Sequence, residues 1–233
     1  MTDHYQLIGH GHAREESAAI TAILQRMHRG ELSSDLRVLN YYEEIPVSYP
    51  ATVDFIEEDM VDLSVHQHKA VVMKFEKKAI LKSRHFANDV LANVFRVDVN
   101  KSLATVTNFA HIVVRAERRR FVRVTVKGLY EVIFTDGERK VRGKLFDISL
   151  TGLAISCPDA DSSFDTLEDG TLLLSLGEKP ISLPARLLKV VRSGGEQRLI
   201  FEFEPSSREE GVISQFIFQR QVEIIKDLKD FVV

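Results

Sequence analysis

"AERRRFVRVTV", residues 116–126, places four arginines within eight positions and then passes into alternating β-branched residues. Val122, Val124 and Val126 alternate with Arg123 and Thr125, the period of a strand with one buried face, so Arg123 is expected to point outward. If the chain is already extended at Arg119, the two guanidiniums share a face. At about 3.3 Å of rise per residue their Cα atoms then lie roughly 13 Å apart. That span suits a ligand with two separated anionic or hydrogen-bonding groups. Arginine is the fitting residue type, because its planar fork meets phosphate or the O6/N7 edge of guanine bidentately and stacks on bases.

The cluster stands between two β-rich regions. Upstream, residues 15–29 carry Ile20, Ile23, Leu24 and Met27 at helical spacing, with Gly30 as the stop. Residues 36–114 then read as short strands, "LRVLNYY", "PVSYPATVDFIE", "MVDLSV", "KAVVMKFE", "KAILKS", "VLANVFRVDV" and "LATVTNFAHIVV", which suggests a small antiparallel barrel. Downstream, Asp136-Gly137, Gly177-Glu178-Lys179-Pro180 and Ser193-Gly194-Gly195 separate apolar runs and read as hairpin turns of a second barrel. Ser207 and Glu210 stand at capping-box spacing before a stripe of Ile213, Phe216, Ile217, Ile224, Leu228 and Phe231, a C-terminal helix expected to pack on that barrel. The expected organisation is therefore mainly β: a loose tail over 1–14, a helix and barrel over 15–113, a linker over 114–120, and a barrel with terminal helix over 121–233.

The bulk numbers fit this plan. A chain of 233 residues can bury two modest cores, and 44% hydrophobic with 28% charged residues is ordinary globular composition. A net charge of −3 argues against a protein that coats nucleic acid by bulk attraction, so any basic site is local. The single cysteine, Cys157, allows no intramolecular disulfide and reads as a small buried residue. The opening residues lack a signal-peptide core and no apolar run is long enough to span a membrane, so the expected location is cytoplasmic.

A second segment complements the arginines. In "LFDISLTGLAIS", residues 145–156, Phe146, Ile148 and Leu150 are expected to face the core while Asp147 and Ser149 face outward, with Gly152 where the strand turns or another backbone comes close. An outward Asp accepts from the N1–H and N2–H donors of guanine, which an arginine cannot do.

Arg118 and Arg119-x-x-x-Arg123, followed by Asp147-x-Ser149-x-x-Gly152, resemble the paired signature of PilZ domains, receptors for cyclic di-GMP. The likeness covers residues 115–231, and the preceding region is similar in order and texture to the N-terminal barrel of YcgR-like two-domain members. The resemblance implies that Arg118 and Arg119 contact phosphate and guanine edges, with help from Arg120, and that Arg123 holds the ligand from the strand. It further implies that Asp147 accepts from guanine, that Ser149 bonds base or phosphate, and that Gly152 admits the ligand to the backbone. Lys189 or Arg192 could add a later-strand contact. Arg119 and Asp147 are both expected to be exposed.

The implied function is a non-enzymatic receptor with cyclic di-GMP as ligand and no cofactor or metal. Binding would alter the interdomain arrangement, with output to motility, exopolysaccharide or biofilm formation through a protein target of the flagellar or polysaccharide machinery. The chain is expected to be a monomer or dimer, with no nucleic-acid partner and no membrane span. The rivals are a PilZ-like interaction adaptor without nucleotide and a single-stranded nucleic-acid binder using the basic linker. His66-x-His68 and His10-x-His12 lack the further ligands of a metal site, and no Gly-x-Ser-x-Gly, His-Glu-x-x-His or phosphate-binding lysine loop is present.

Overall fold

The computed structural model describes residues 4–8, 13–158, 164, 166–177 and 179–231. The chain forms two compact units, residues 1–119 with 225–233, and residues 120–224. Both are antiparallel barrels, so the chain is mainly β, as its turn chemistry indicates.

In the first unit the strands are β1 (Tyr5–Leu7), β2 (Arg37–Tyr42), β3 (Ile45–Glu57), β4 (Met60–Val65), β5 (Lys78–Lys82), β6 (Asp89–Asp98) and β7 (Leu103–Val114). They follow the order β1-β7-β4-β3-β2-β5-β6, and pairing of β6 with β7 closes the ring. Within the segment expected to be a loose tail, Tyr5–Leu7 instead pairs with residues 112–114 of β7. Helix α1 (Ala13–His28) has Glu15 and Glu16 in its first turn and Arg26 and His28 in its last, which complements the helix dipole. Gly30, at φ 74°, ends it: Glu31 N–H donates to Arg26 O and Gly30 N–H to Met27 O, a Schellman closure. Ile20, Leu24 and Met27 enter the barrel core with Val38, Leu63, Leu81 and Val106.

"KAVVMKFE", expected as a strand, lies in helix α2 (Gln67–Glu76). A short apolar run is ambiguous in period, and the ends decide here. The His66 side chain accepts from His68 N–H at the start, and Lys77 adopts a left-handed conformation at the stop. The helix connects β4 to β5, strands that are not neighbours in the sheet. It buries Lys69 completely. Lys69 Nζ donates to Asn40 Oδ1 at 2.6 Å and Val47 O at 3.0 Å, and burial pushes the amine well below its usual range.

In the second unit, β9 (Glu131–Thr135), β10 (Lys140–Ser149), β11 (Gly152–Pro158), β12 (Glu168–Leu176), β13 (Lys179–Ser193) and β14 (Glu196–Phe203) follow the two-residue β8 (Val124–Thr125). The order is β11-β14-β13-β12-β9-β10-β8, closed by β10 with β11. The three expected turns join β9–β10, β12–β13 and β13–β14. Phe134 sits at the core, edge-on to Phe164 at 5.1 Å and against Phe201 at 4.7 Å. Cys157 is buried on β11.

Helix α3 (Ser207–Asp230) starts one residue earlier in its capping pattern than the sequence spacing suggests. Glu209 accepts from Ser206 N–H at 2.8 Å, so Ser206 and Glu209 hold the positions expected of Ser207 and Glu210. Ile213, Ile217 and Ile224 are buried as expected, with Arg220 buried among them. Leu228, in the first unit, packs with Val71 and Val72 of α2. Phe231, expected in the packing stripe, is 54% exposed, although its ring meets Phe75 edge-on. Among the described residues no helix is long and apolar enough to cross a membrane.

Candidate functional site

The arginine segment begins where β7 ends. A 3₁₀ turn (Ala116–Arg118) follows, and Arg119 is extended at φ −70° and ψ 131°. Several contacts within the first unit fix this turn. Arg115 donates to Gln6 Oε1 at 2.7 Å, buried Ala116 donates its N–H to His4 O, and Glu117 pairs with Lys82 at 2.6 Å. Arg119 Nη1 donates to Glu44 Oε2 at 2.5 Å. Arg118 is exposed.

Glu44 is the residue the sequence reading missed. Its side chain is 3% exposed, and His4 Nε2 lies 2.8 Å from its other oxygen. Burial alone would raise its carboxyl, but the bond and charge of His4, then those of Arg119, bring it down to about 2. Glu43 and Glu44 form a two-residue turn between β2 and β3, both with left-handed backbones at φ 48° and 72°. Glu44 lies 75 positions from Arg119 in a turn without Asn or Gly, and nothing local in the sequence marks it.

The remaining predicted residues belong to the second unit. The Arg120 guanidinium lies 5.2 Å from the Phe121 ring centroid. The expected alternation holds only in part: Val124 and Val126 are buried, whereas Val122 is 44% exposed and the strand is two residues long. Thr125 pairs with Asp147 and Val124 with Ile148, which brings Arg123 to the Asp147 carboxylate. Arg123 Nε lies 3.5 Å from Asp147 Oδ1.

The face expected for β10 is corrected by a β-bulge. The β10–β11 register shifts between Leu145 and Asp147, so Phe146 is the extra residue and the core positions become Leu145 and Ile148, three apart. Phe146 lies outside the core, with the Arg198 guanidinium 3.5 Å from its ring centroid. Leu150, also expected in the core, is half-buried. The exposure expected of Asp147 is not found. Asp147 is 4% and Ser149 8% exposed. Arg119 likewise has a side chain only 25% exposed, because Glu44 holds it.

Ser149 Oγ donates to Gly152 O at 3.1 Å, closing the turn between β10 and β11. A Cβ on Gly152 would stand 2.7 Å from Phe201 O. The close backbone approach at this glycine is therefore that of β14, its partner in the sheet. Arg220 of α3 donates through Nε to Thr125 O at 2.9 Å and through Nη1 to Glu223 Oε2 at 2.9 Å, holding the strand that carries Arg123. A charged residue one turn from Ile224 inside the apolar stripe was the signal for it. A cleft of about 650 Å³, lined in part by Arg120, Phe121, Thr151, Arg186 and Glu202, opens on the same unit.

The structure thus brings together Arg123, Asp147, Ser149 and Gly152 within the second unit, while Arg118 and Arg119 belong to the first. Lys189 and Arg192 are exposed on β13, which pairs with β12 and β14 and not with β10. His66 stacks on Tyr49 at 4.1 Å and caps α2, while His10 and His12 lie outside the described residues. Among the described residues no group of three metal-ligating side chains occurs.

Residues 117–219 match the family model of the PilZ domain, a span that holds every arginine, aspartate, serine and glycine of the paired motifs. That part of the chain is PilZ-like. Comparison with curated protein sequences returned no match. Among solved structures the chain is similar to Escherichia coli YcgR in complex with c-di-GMP, at 15% identity and TM-score 0.46 over 96% of this chain and 100% of that one. It is also similar to the K. pneumonia MrkH–c-di-GMP complex, at 14% identity and TM-score 0.46 over 91% and 96%. A third likeness is to the Bacillus subtilis inhibitor of motility MotI, at 14% identity and TM-score 0.42 over 82% and 97%. The matched span contains the second barrel with its bulged β10 and the first half of α3.

Proposed function

We propose that this chain is a receptor for cyclic di-GMP. The reading is carried by the motif residues standing in a PilZ-like span with Arg123 at the Asp147 carboxylate and Ser149 bonded to Gly152. In this reading Asp147 accepts from the N1–H and N2–H donors of a guanine, and Arg123 both orients that carboxylate and reaches a phosphate or the O6/N7 edge. Arg118, exposed, supplies a phosphate contact, with Arg119 and Arg120 as its neighbours. The protein contributes binding and geometry, and no bond of the nucleotide is broken.

A ligand that needs both the arginine segment and the Asp147 turn favours whichever conformations offer it both, which is a population shift. A protein target in motility, exopolysaccharide or biofilm control would read that shift.

Calorimetric titration of the full chain with cyclic di-GMP tests the proposal. Saturable binding is expected, weakened about tenfold or more by Arg118→Ala and by Asp147→Asn. The amide is chosen because Asp147 is buried, and truncation to alanine would damage the barrel as well. No heat at high micromolar ligand would leave the adaptor reading in possession.

A further inference from the structure

The turn at Glu43-Glu44 is built against local preference. Two-residue hairpin turns with both backbones left-handed favour Asn and Gly, and glutamate has no advantage there. A carboxylate 3% exposed is also uncommon unless it is paired. The first barrel needs neither feature to close its β2–β3 hairpin. What the arrangement achieves is placement: one Glu44 oxygen on His4 and the other on Arg119, the guanidinium at the end of the first unit. Arg118 and Arg120, on either side, are exposed and have no ion pair among the described residues, so the carboxylate neutralises only the middle arginine of the three.

Resting on the cyclic di-GMP reading above, we infer that Glu44 is a latch on Arg119, a carboxylate that holds the guanidinium in the ligand-free chain and competes with the dinucleotide for it. The N–H donors that face Glu44 cannot also face a phosphate or a guanine edge. Only the fraction of molecules with Arg119 released is then competent at that contact, and the apparent affinity falls by that fraction.

His4 sets the strength of the latch. When Arg119 leaves, His4 remains as a partner for the buried carboxylate, so its presence makes release easier. Its ring lies 4.5 Å from that of Tyr41, and its carbonyl accepts from Ala116 N–H, which keeps it in place.

Two substitutions in this one cluster should therefore act in opposite directions. Titrated with cyclic di-GMP at fixed salt, full-length Glu44→Gln should bind about tenfold tighter than the unaltered chain, equivalent to about 1.4 kcal/mol. His4→Phe, which keeps a ring against Tyr41 but removes the donor, should bind more weakly. If Glu44→Gln does not fold, Glu44→Gly removes the same carboxylate and suits the left-handed backbone. Unchanged or weaker binding by the Glu44 variants while the unaltered chain binds would overturn the latch alone. Tightening by His4→Phe as well would also overturn it, since both changes would then merely loosen the cluster. Binding by Glu44→Gln where the unaltered chain is silent supports it. Silence from all of them overturns both the latch and the receptor reading.

Discussion

Replacing Gly152 by alanine separates the fold from the proposed ligand site at the position where the two readings meet. Gly152 belongs to the PilZ motif, yet a Cβ there would lie 2.7 Å from Phe201 O, a backbone atom of the facing strand. That is well inside the roughly 3.5 Å of an optimal nonbonded contact. Accommodating it means parting β11 from β14 near the Gly152↔Glu202 pair, an overpacking cost of about 1–3 kcal/mol. The backbone of Gly152 is not left-handed, so alanine also recovers about 0.4–1 kcal/mol by restricting the unfolded chain. Taken from the middle of both ranges, the net destabilisation is about 1–2 kcal/mol. Cys157 reports it directly, as the sole cysteine of the chain, buried five residues along the same strand. With opening and closing fast relative to modification, thiol labelling follows the open population, and about 1–2 kcal/mol becomes roughly a 5- to 30-fold faster rate. The measurement contains no nucleotide. Labelling at the unaltered rate would refute the assignment of Gly152 to barrel closure and return it to a ligand role alone.

Two further outcomes concern titration, both followed by denaturant unfolding across pH. Lys69 binds its proton less well folded than unfolded, so between its lowered value and 10.5 the unfolded chain holds more protons and stability rises with pH. Lys69→Met should flatten that rise relative to the unaltered chain, and an unchanged slope would show that the buried amine does not titrate in this window. Glu44 has the opposite character, since its folded value of about 2 lies below the ordinary 4.5. Its contribution, about 3 kcal/mol by linkage, is present above pH 4.5 and lost as pH falls toward 2, and Glu44→Gln should reduce the acid limb to that of the other lowered carboxylates, Asp35 and Glu209 among them. An acid limb undiminished in the variant would assign it wholly to those other carboxylates.

What the sequence disclosed and what it withheld divide along the range of the interactions. The hairpins at Asp136-Gly137 and Ser193-Gly194-Gly195 were legible because positive φ is a local demand that glycine answers locally; Gly194 and Gly195 sit at φ 63° and 82°. The inward face of β10 was not legible, because one inserted residue, Phe146, resets the alternation and only the partner strand reveals it. "KAVVMKFE" was misread for a related reason: its buried side chains include Lys69, so polarity does not report which residues face inward. The arginines and the Asp147 turn could be named from residue type and order. The carboxylate that restrains Arg119 could not, because it comes from the β2–β3 turn and becomes a neighbour only when the first barrel closes.

The Glu43-Glu44 turn also bears on any effort to engineer the protein. A designer applying hairpin rules would write Asn-Gly at these two positions and expect a gain of about 0.5–2 kcal/mol. The same edit deletes the buried carboxylate, whose contribution of about 3 kcal/mol exceeds that gain, and frees Arg119, so on the proposed receptor reading the edited protein would be both less stable and less discriminating. If the receptor reading holds, stability and ligand threshold both rest on this one carboxylate, and a selection that preserves the first also preserves the second.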